Sequence, residues 1–446
     1  MKNTGIVTRL ENMKKKDMNI KNSFYSVLVI LGLLFASPYC LGQKMLLSKA
    51  KVHIGNGEVI EQGLVGIEDG EIILIKNALT YTYDPSEWDT IIDLKHQHLY
   101  PGFFAPNTTL GLTEVDAVRA TRDFKEVGQY NPHIRSEIAF NVESKVVNTA
   151  RGNGVLFAQA TPRGGVVSGT SSVFHLHGWN WEDAVLNSND GVHLNWPNTL
   201  QGGGWWAEPK PKTQNEKYGE NKRAVYDFFK AAQAYHANKN HKYDARYEAL
   251  KGVFNGNLNL YIHADELKQL LDVIDFINDL RLSSPVLVGG YDSYLLTDQL
   301  KDAEIPVMLT RLHALPDNED DPVDLVYRLP KLLNDGGVKF CLQNAGDMEA
   351  MQVRNIPFLA GSAMGYGLTE EEAVRSITLS AAEILNLDKE YGSIEVGKKA
   401  TLFASKGNAL DMRTNHVTLV LIDGEIAPHE HHQHELYRKY KGKYGN

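Results

Sequence analysis

Two blocks of alternating sequence lie at opposite ends of the chain, and a long strand–helix repeat lies between them. In the first block, MLLSKAKVHIGNG, VIEQGLVGIEDGEIILI and DTIIDLKHQHLY place apolar residues at every second position between Met45 and Leu99. That is the signature of strands with one buried face. Asp69-Gly70 between two such runs is a hairpin signal. The second block, GSIEVGKKATLFASKGN (392–408) and HVTLVLIDGEIAP (416–428), repeats the pattern with Asp423-Gly424 at its turn. Neither block is long enough to bury a core alone. The economical arrangement is a composite β-sandwich from residues 43–99 and 389–430, with residues 100–388 inserted as a separate domain.

The insert contains short apolar runs: GVLFAQA (154–160), LNLYIHA (258–264), SPVLVGG (284–290), IPVMLT (305–310), VKFCLQNAG (338–346) and IPFLAG (356–361). Most precede helix-like stretches. DELKQLLDVIDFINDLRL (265–282) has apolar residues at helical spacing behind an acidic first turn. TEEEAVRSITLSAAEILNL (369–387) opens with Thr369 as N-cap and Glu372 as its capping-box partner. Repeated βα units imply parallel strands, and at this size a (β/α)8 TIM-like barrel. The α/β alternative is a doubly wound open sheet, but no Gly-rich dinucleotide fingerprint follows a first strand. A chain of 446 residues is long enough for a barrel and a satellite domain.

Ahead of these domains, Lys14, Lys15, Lys16 and Lys21 precede the apolar run Phe24–Ala36, which is shorter than the ~20 residues of a membrane span. Residues 1–42 therefore read as a signal peptide. Met13 or Met18 is an alternative start, and cleavage after Gly42 would leave Gln43 first. The expected location is periplasmic or secreted, with no transmembrane span in the mature chain. Lipid anchoring at Cys40 is the less favoured reading, since Pro38 and Tyr39 suit it poorly. Cleavage would leave Cys341 as the single cysteine, within a strand-like run, and no intramolecular disulfide. A net charge of −9 gives no electrostatic footprint for nucleic acid.

Between about 180 and 250 the repeat is interrupted. WNWED, LNWPNTLQGGGWWAEPKPKTQ and a polar helical stretch bring Trp179, Trp181, Trp196, Trp205 and Trp206 close together in sequence. Aromatic residues beside Gly and Pro suggest a loop over the barrel mouth, either capping the barrel or lining a substrate cleft. At the far end, HEHHQHELYRKYKGKY suggests a terminal helix in the tail 431–446, packing Leu436 and Tyr437 on the sandwich. Its His429, His431, His432 and His434 are a weaker metal-binding candidate.

Four segments carry a family resemblance: LYPGFFAPNTTLGLT (99–113), RGNGVLFAQATPRGGVVSGTSSVFHLHG (151–178), LYIHADEL (260–267) and TEEEAVRSITLSAAEILNLDKEYGSIEVGKKATLFASKGN (369–408). Residues 45–428 resemble the amidohydrolase superfamily of metal-dependent hydrolases, in the imidazolonepropionase-like group. The resemblance implies zinc or another divalent ion at the C-terminal ends of the barrel strands, and hydrolysis of C–N bonds in cyclic amides or amide-like substrates. It implies H-x-H on strand 1, a carboxylated Lys or Glu on strand 4, His on strands 5 and 6, and Asp on strand 8. The matching positions here are Asn107 and Thr109, then His263, Gly289 and Ala345, and no strand-4 ligand can be placed. Only His263 keeps its ligand, and a zinc site needs about three from the protein. Asp347 would replace the strand-8 Asp only after a two-residue shift. Thr401 also departs from the acidic residue of the closing GSxxxGKxADL signature.

Two other features bear on chemistry. Arg163 and the loop through Gly164, Gly165, Gly169 and Thr170 could hold an anionic group, or simply join two strands tightly. His175 and His177 would share a face if they lie on a strand, although their segment reads as structural. Two functions follow. One is an exported amidohydrolase with a depleted metal site. The other is a catalytically inactive homologue that binds a small-molecule ligand at the barrel mouth, or acts with another copy or an active homologue. Arg163 and His263 are the expected ligand-binding residues. The ligand count predicts that the purified mature protein holds no stoichiometric zinc.

Overall fold

The computed structural model describes residues 43–445 except 206, 207 and 239; the signal-like segment 1–42 and Trp206 lie outside the described residues. The first strands are β1 (Met45–His53), β2 (Val59–Glu68), β3 (Glu71–Asn77), β4 (Thr90–Asp93) and β5 (His98–Pro101). The barrel begins one residue later with β6 (Phe103–Thr108), followed by β7 (Val155–Ala160), β8 (Val167–His175) and β9 (Val185–Asn195). A separate hairpin, β10 (Leu200–Trp205) and β11 (Glu208–Gln214), interrupts it. The barrel resumes with β12 (Asn259–Ala264), β13 (Pro285–Gly289), β14 (Val307–Leu309) and β15 (Phe340–Leu342). Last come β16 (Leu402–Ser405), β17 (Val417–Ile422) and β18 (Glu425–Ile426).

Both ends of the chain build one eight-stranded sheet, ordered β18-β17-β16-β5-β1-β2-β3 with β4 beside β1. β5 joins the halves. It runs parallel to β1 with Lys51 opposite His98, and antiparallel to β16 with Leu402 opposite Pro101. Asp69-Gly70 and Asp423-Gly424 both turn with positive φ at each residue, which suits the right-handed strand twist. This sheet has its own buried cluster, including Leu47, Val52, Leu99 and Leu421.

The second eight-stranded sheet is the nearly closed barrel, ordered β15-β14-β13-β12-β9-β8-β7-β6. Seven strands run in one direction. β8 is the exception, antiparallel to both β7 and β9, so the barrel is not an unbroken series of βα units. No helix separates β7 from β8, and a short connection can only reverse direction. Stacked Phe104 and Phe157, 4.1 Å apart, fill the interior beside β6 and β7.

Three expected elements differ. IPFLAG forms the helix Ile356–Gly365, because Pro357 suits a first helical turn and an apolar helix can be buried all round. The 369–387 segment divides into helices Glu370–Ser376 and Leu379–Ile384, while its Thr369–Glu372 capping box forms as the spacing predicts. The tail forms the helix His432–Tyr444, but Leu436 and Tyr437 are exposed rather than packed on the sheet. Among the described residues no helix is long and apolar enough to cross a membrane.

Candidate functional site

Because β8 runs backwards, its His175 end points away from the barrel mouth. There His175 pairs with Asp423 at 3.2 Å, while His177 lies past the strand end, exposed. The two histidines therefore form no metal-binding pair. The same reversal takes Trp179 and Trp181 to the far end of the barrel. Trp196, at the mouth, is buried in the core and donates its indole N–H to Tyr218 at 3.2 Å. The Trp cluster is thus divided between the two ends. The element that reaches the mouth is the β10–β11 hairpin, whose Lys212 is near enough to Glu266 and Asp317 to counter the rise of both carboxyls.

A cleft of about 670 Å³ opens at the C-terminal ends of β6, β12 and β15, where barrel chemistry usually sits. Asn107, Thr109, Arg163, His263 and Ala345 all line it, so the fold gathers most of the positions singled out in the sequence. Asp347 also lines it, beside Glu349. Gly289 ends β13 at the same level, paired with Ala264.

Arg163 occupies the centre of this arrangement. Its Nη1 donates to Asn107 Oδ1 at 2.8 Å, and its Nη2 donates to the Asn107 backbone oxygen at 2.8 Å. Nη2 also meets Glu349 Oε1 at 3.0 Å. The other Glu349 oxygen accepts from the Gly346 N–H at 2.9 Å. Asn107 has φ of +49°, a conformation that Asn tolerates better than most residues, and its N–H donates to Gln159 at 2.8 Å. The Asn107 backbone is therefore held from below by the barrel, and its side chain from above by a guanidinium.

The other ligand positions are equally committed. His263 Nε2 lies 2.9 Å from His193 Nδ1 on the neighbouring strand. Burial, and then the nearby Arg163 charge, push His263 down to about 3. Burial likewise takes His193 well below the usual imidazole range, so both rings are neutral near pH 7. A His at 289 would not fit: a Cβ there would lie 2.4 Å from Asp265 Oδ1, on a backbone with φ of +99°. Ala345 contributes its N–H to Gln343 at 2.7 Å and has no ligating side chain. One histidine, an amide, a hydroxyl and a resident guanidinium do not fit a divalent-metal centre at the mouth.

Below the cleft, Asp190 on β9 accepts from Gln159 at 2.6 Å, Tyr261 at 2.8 Å and Ser171 at 3.1 Å through one oxygen. Its other oxygen is buried without a partner, and burial raises the carboxyl to about 6. On the cleft wall, Asp116 also has a buried carboxylate oxygen without a partner, and burial raises it too. Arg122 stands near it, exposed. Asp116, Arg122 and Glu349 were not legible beforehand: the first two lie on an irregular connection, and Glu349 opens a four-residue helix, Glu349–Gln352, too short to show a period. His193 did leave a signal: GVHLNW, like LYIHAD, is an apolar run interrupted by His. A separate cleft of about 450 Å³ at the opposite end of the barrel, near Lys339 and Glu383, involves none of these groups.

The amidohydrolase family model matches residues 220–427. An amidohydrolase structure from Thermotoga maritima is similar over 86% of this chain and 99% of its own, with 23% identity and a TM-score of 0.73. A prolidase complexed with N-methylphosphonate-L-proline covers 87% of this chain and 100% of its own, at 14% identity and a TM-score of 0.52. An adenosine deaminase from Xanthomonas campestris with bound zinc covers 90% and 98%, at 13% identity and 0.51. No match is found among curated protein sequences. The barrel and the sheet shared by both chain ends thus have the fold of the Thermotoga maritima amidohydrolase, and the part of the chain from 220 to 427 matches the amidohydrolase family model.

Proposed function

We propose that this amidohydrolase-like protein binds a small ligand carrying both a nitrogen donor and a carboxylate, such as an amino acid or dipeptide, and does not hydrolyse it through a metal at the barrel mouth. The observation that carries the reading is the Arg163 guanidinium bonded to Asn107, where the family resemblance implies a metal ligand. The unpartnered oxygen of Asp116 offers an acceptor for a ligand N–H, and Arg122 offers a cation for a carboxylate. A prolidase of the same fold, complexed with N-methylphosphonate-L-proline, supports that choice of ligand class.

Hydrolysis of C–N bonds is the second reading. The family-model match and the placement of His263 in the cleft favour it. Calorimetric titration with glycyl-L-proline and L-proline separates the readings, with dipeptide integrity followed by NMR. Saturable binding that falls at least tenfold in Asp116→Ala, with the peptide bond intact in the presence of zinc, is expected. Zinc-dependent cleavage abolished in His263→Ala would establish the second reading instead. Absence of binding by both probes would overturn the ligand class.

The charge-then-apolar order of residues 14–36 supports a further proposal, that the protein is exported to the periplasm or beyond. N-terminal sequencing of the mature protein from fractionated cells should begin at Gln43.

A further inference from the structure

Away from the mouth, His53, His98 and Glu370 bring three metal-ligating atoms within 4.8 Å of one another. They come from three separate elements: the end of β1, the start of β5, and the first turn of the helix Glu370–Ser376. The cluster therefore lies at the seam between the terminal sheet and the helices that close the barrel.

Its internal geometry is that of oriented ligands. His53 is fully buried, and its Nδ1 lies 2.6 Å from Glu371 Oε1. A carboxylate accepts, so Nδ1 carries the proton and donates. His53 Nε2 then presents a lone pair, and it points at His98 Nδ1, 2.9 Å away. The Tyr100 hydroxyl accepts from the Ala409 N–H at 3.3 Å and lies 3.1 Å from the same His98 nitrogen. A proton or a metal ion between His53 Nε2 and His98 Nδ1 joins the two rings, and the Tyr100 hydroxyl stands beside that position. Asn408 holds one oxygen of Glu370 at 2.8 Å, which orients that carboxylate as well. Carboxylate and amide partners such as Glu371 behind His53 and Asn408 behind Glu370 are the usual support of a metal site. Stacking of His53 on Tyr100, 4.2 Å between ring centres, fixes the plane of the imidazole.

We propose that His53, His98 and Glu370 form a structural site for a divalent transition metal of the zinc class, which clamps the terminal sheet to the barrel. Two nitrogens bound at about 2.05 Å with tetrahedral angles stand about 3.3 Å apart. The His pair needs to open only a few tenths of an ångström from 2.9 Å to admit the ion. Two imidazoles and a carboxylate suit zinc better than magnesium or calcium. The reading is independent of the ligand proposed for the mouth. It also means that a bare metal analysis of the protein cannot report on the mouth.

The test uses the full chain, stripped with chelator and then dialysed against zinc or cobalt(II). Metal per chain, the cobalt visible spectrum and the melting temperature are read for wild type, His98→Gln, Glu370→Gln and His263→Ala. We expect close to one ion per chain in wild type and in His263→Ala. Affinity should fall at least tenfold in both seam variants, and the metal-dependent rise in melting temperature should disappear with it. Glu370→Gln leaves both histidines and the sheet intact, so it decides the matter if His98→Gln does not fold. No bound metal in wild type, loss of metal in His263→Ala, or full occupancy in Glu370→Gln would each overturn the site.

Discussion

The Arg163 guanidinium grips Asn107 twice, through Oδ1 and the backbone oxygen, each at 2.8 Å. A permanent positive charge thus stands where the family resemblance implies a metal ion. Glu349, at 3.0 Å, balances it from the start of the short helix Glu349–Gln352 after β15. The three residues form one unit, so changing one ligand position affects charge balance as well as coordination.

That coupling is measurable. The Arg163 and Glu349 side chains are 22% and 9% exposed, so removing either leaves a largely buried charge without its partner. Arg163→Ala and Glu349→Gln should each lower the unfolding free energy by about 2–3 kcal/mol. The double variant should lose clearly less than the sum, by chemical denaturation. Simple additivity would show that the pair is not coupled.

Restoring histidines alone should not restore a mouth metal. Asn107→His with Thr109→His, in a His98→Gln background that removes the seam site, is expected to remain clearly substoichiometric in zinc. Arg163 would still place a cation at the same spot. Adding Arg163→Met should raise occupancy towards one ion per chain, measured by elemental analysis. Full occupancy with Arg163 present would show that the guanidinium is no barrier.

Asp190 should leave a signature in stability against pH. Burial raises its carboxyl to about 6 in the folded protein, above the ~3.9 of an unfolded Asp. Between these values the folded state holds the extra proton, so this contribution to stability is greatest below pH 4 and declines as pH rises through 6. Asp190→Asn removes the titration. The wild-type stability minus that of Asp190→Asn should therefore fall by about 2–3 kcal/mol between pH 4 and 7. A difference that stays flat, or rises, would contradict the assignment.

The two terminal hairpins should tolerate no side chain where their turns meet. A Cβ on Gly70 would lie 2.5 Å from the Asp423 backbone oxygen, and one on Gly424 would lie 2.7 Å from Gly70 Cα. Both glycines have positive φ. Gly70→Ala and Gly424→Ala should each cost more than about 1 kcal/mol by thermal or chemical unfolding. Gly57→Ala, with positive φ but open space around it, separates the backbone part of that cost from the clash.

Local chemistry made much of this molecule legible in the sequence. Period-two runs and Asp-Gly turns marked the terminal strands, because a strand with one buried face must alternate. The capping box at Thr369 and Glu372 marked a helix start for an equally local reason. The IPFLAG helix was less legible, since a short apolar run has no period to distinguish a buried strand from a buried helix.

By itself, then, the sequence determined the two-part architecture, the barrel and the residue types, Asn107, Thr109, Gly289 and Ala345, at positions where the resemblance implies metal ligands. These are properties of pattern and residue identity. Only the tertiary structure decided that β8 runs backwards, that Trp196 joins the core, and that Arg163 and Glu349 close over Asn107. It also brought His53, His98 and Glu370 together from positions up to 317 residues apart (370 minus 53). The reason is range: periodicity and capping act over a few residues, whereas long-range side-chain encounters exist only once the sheets have closed.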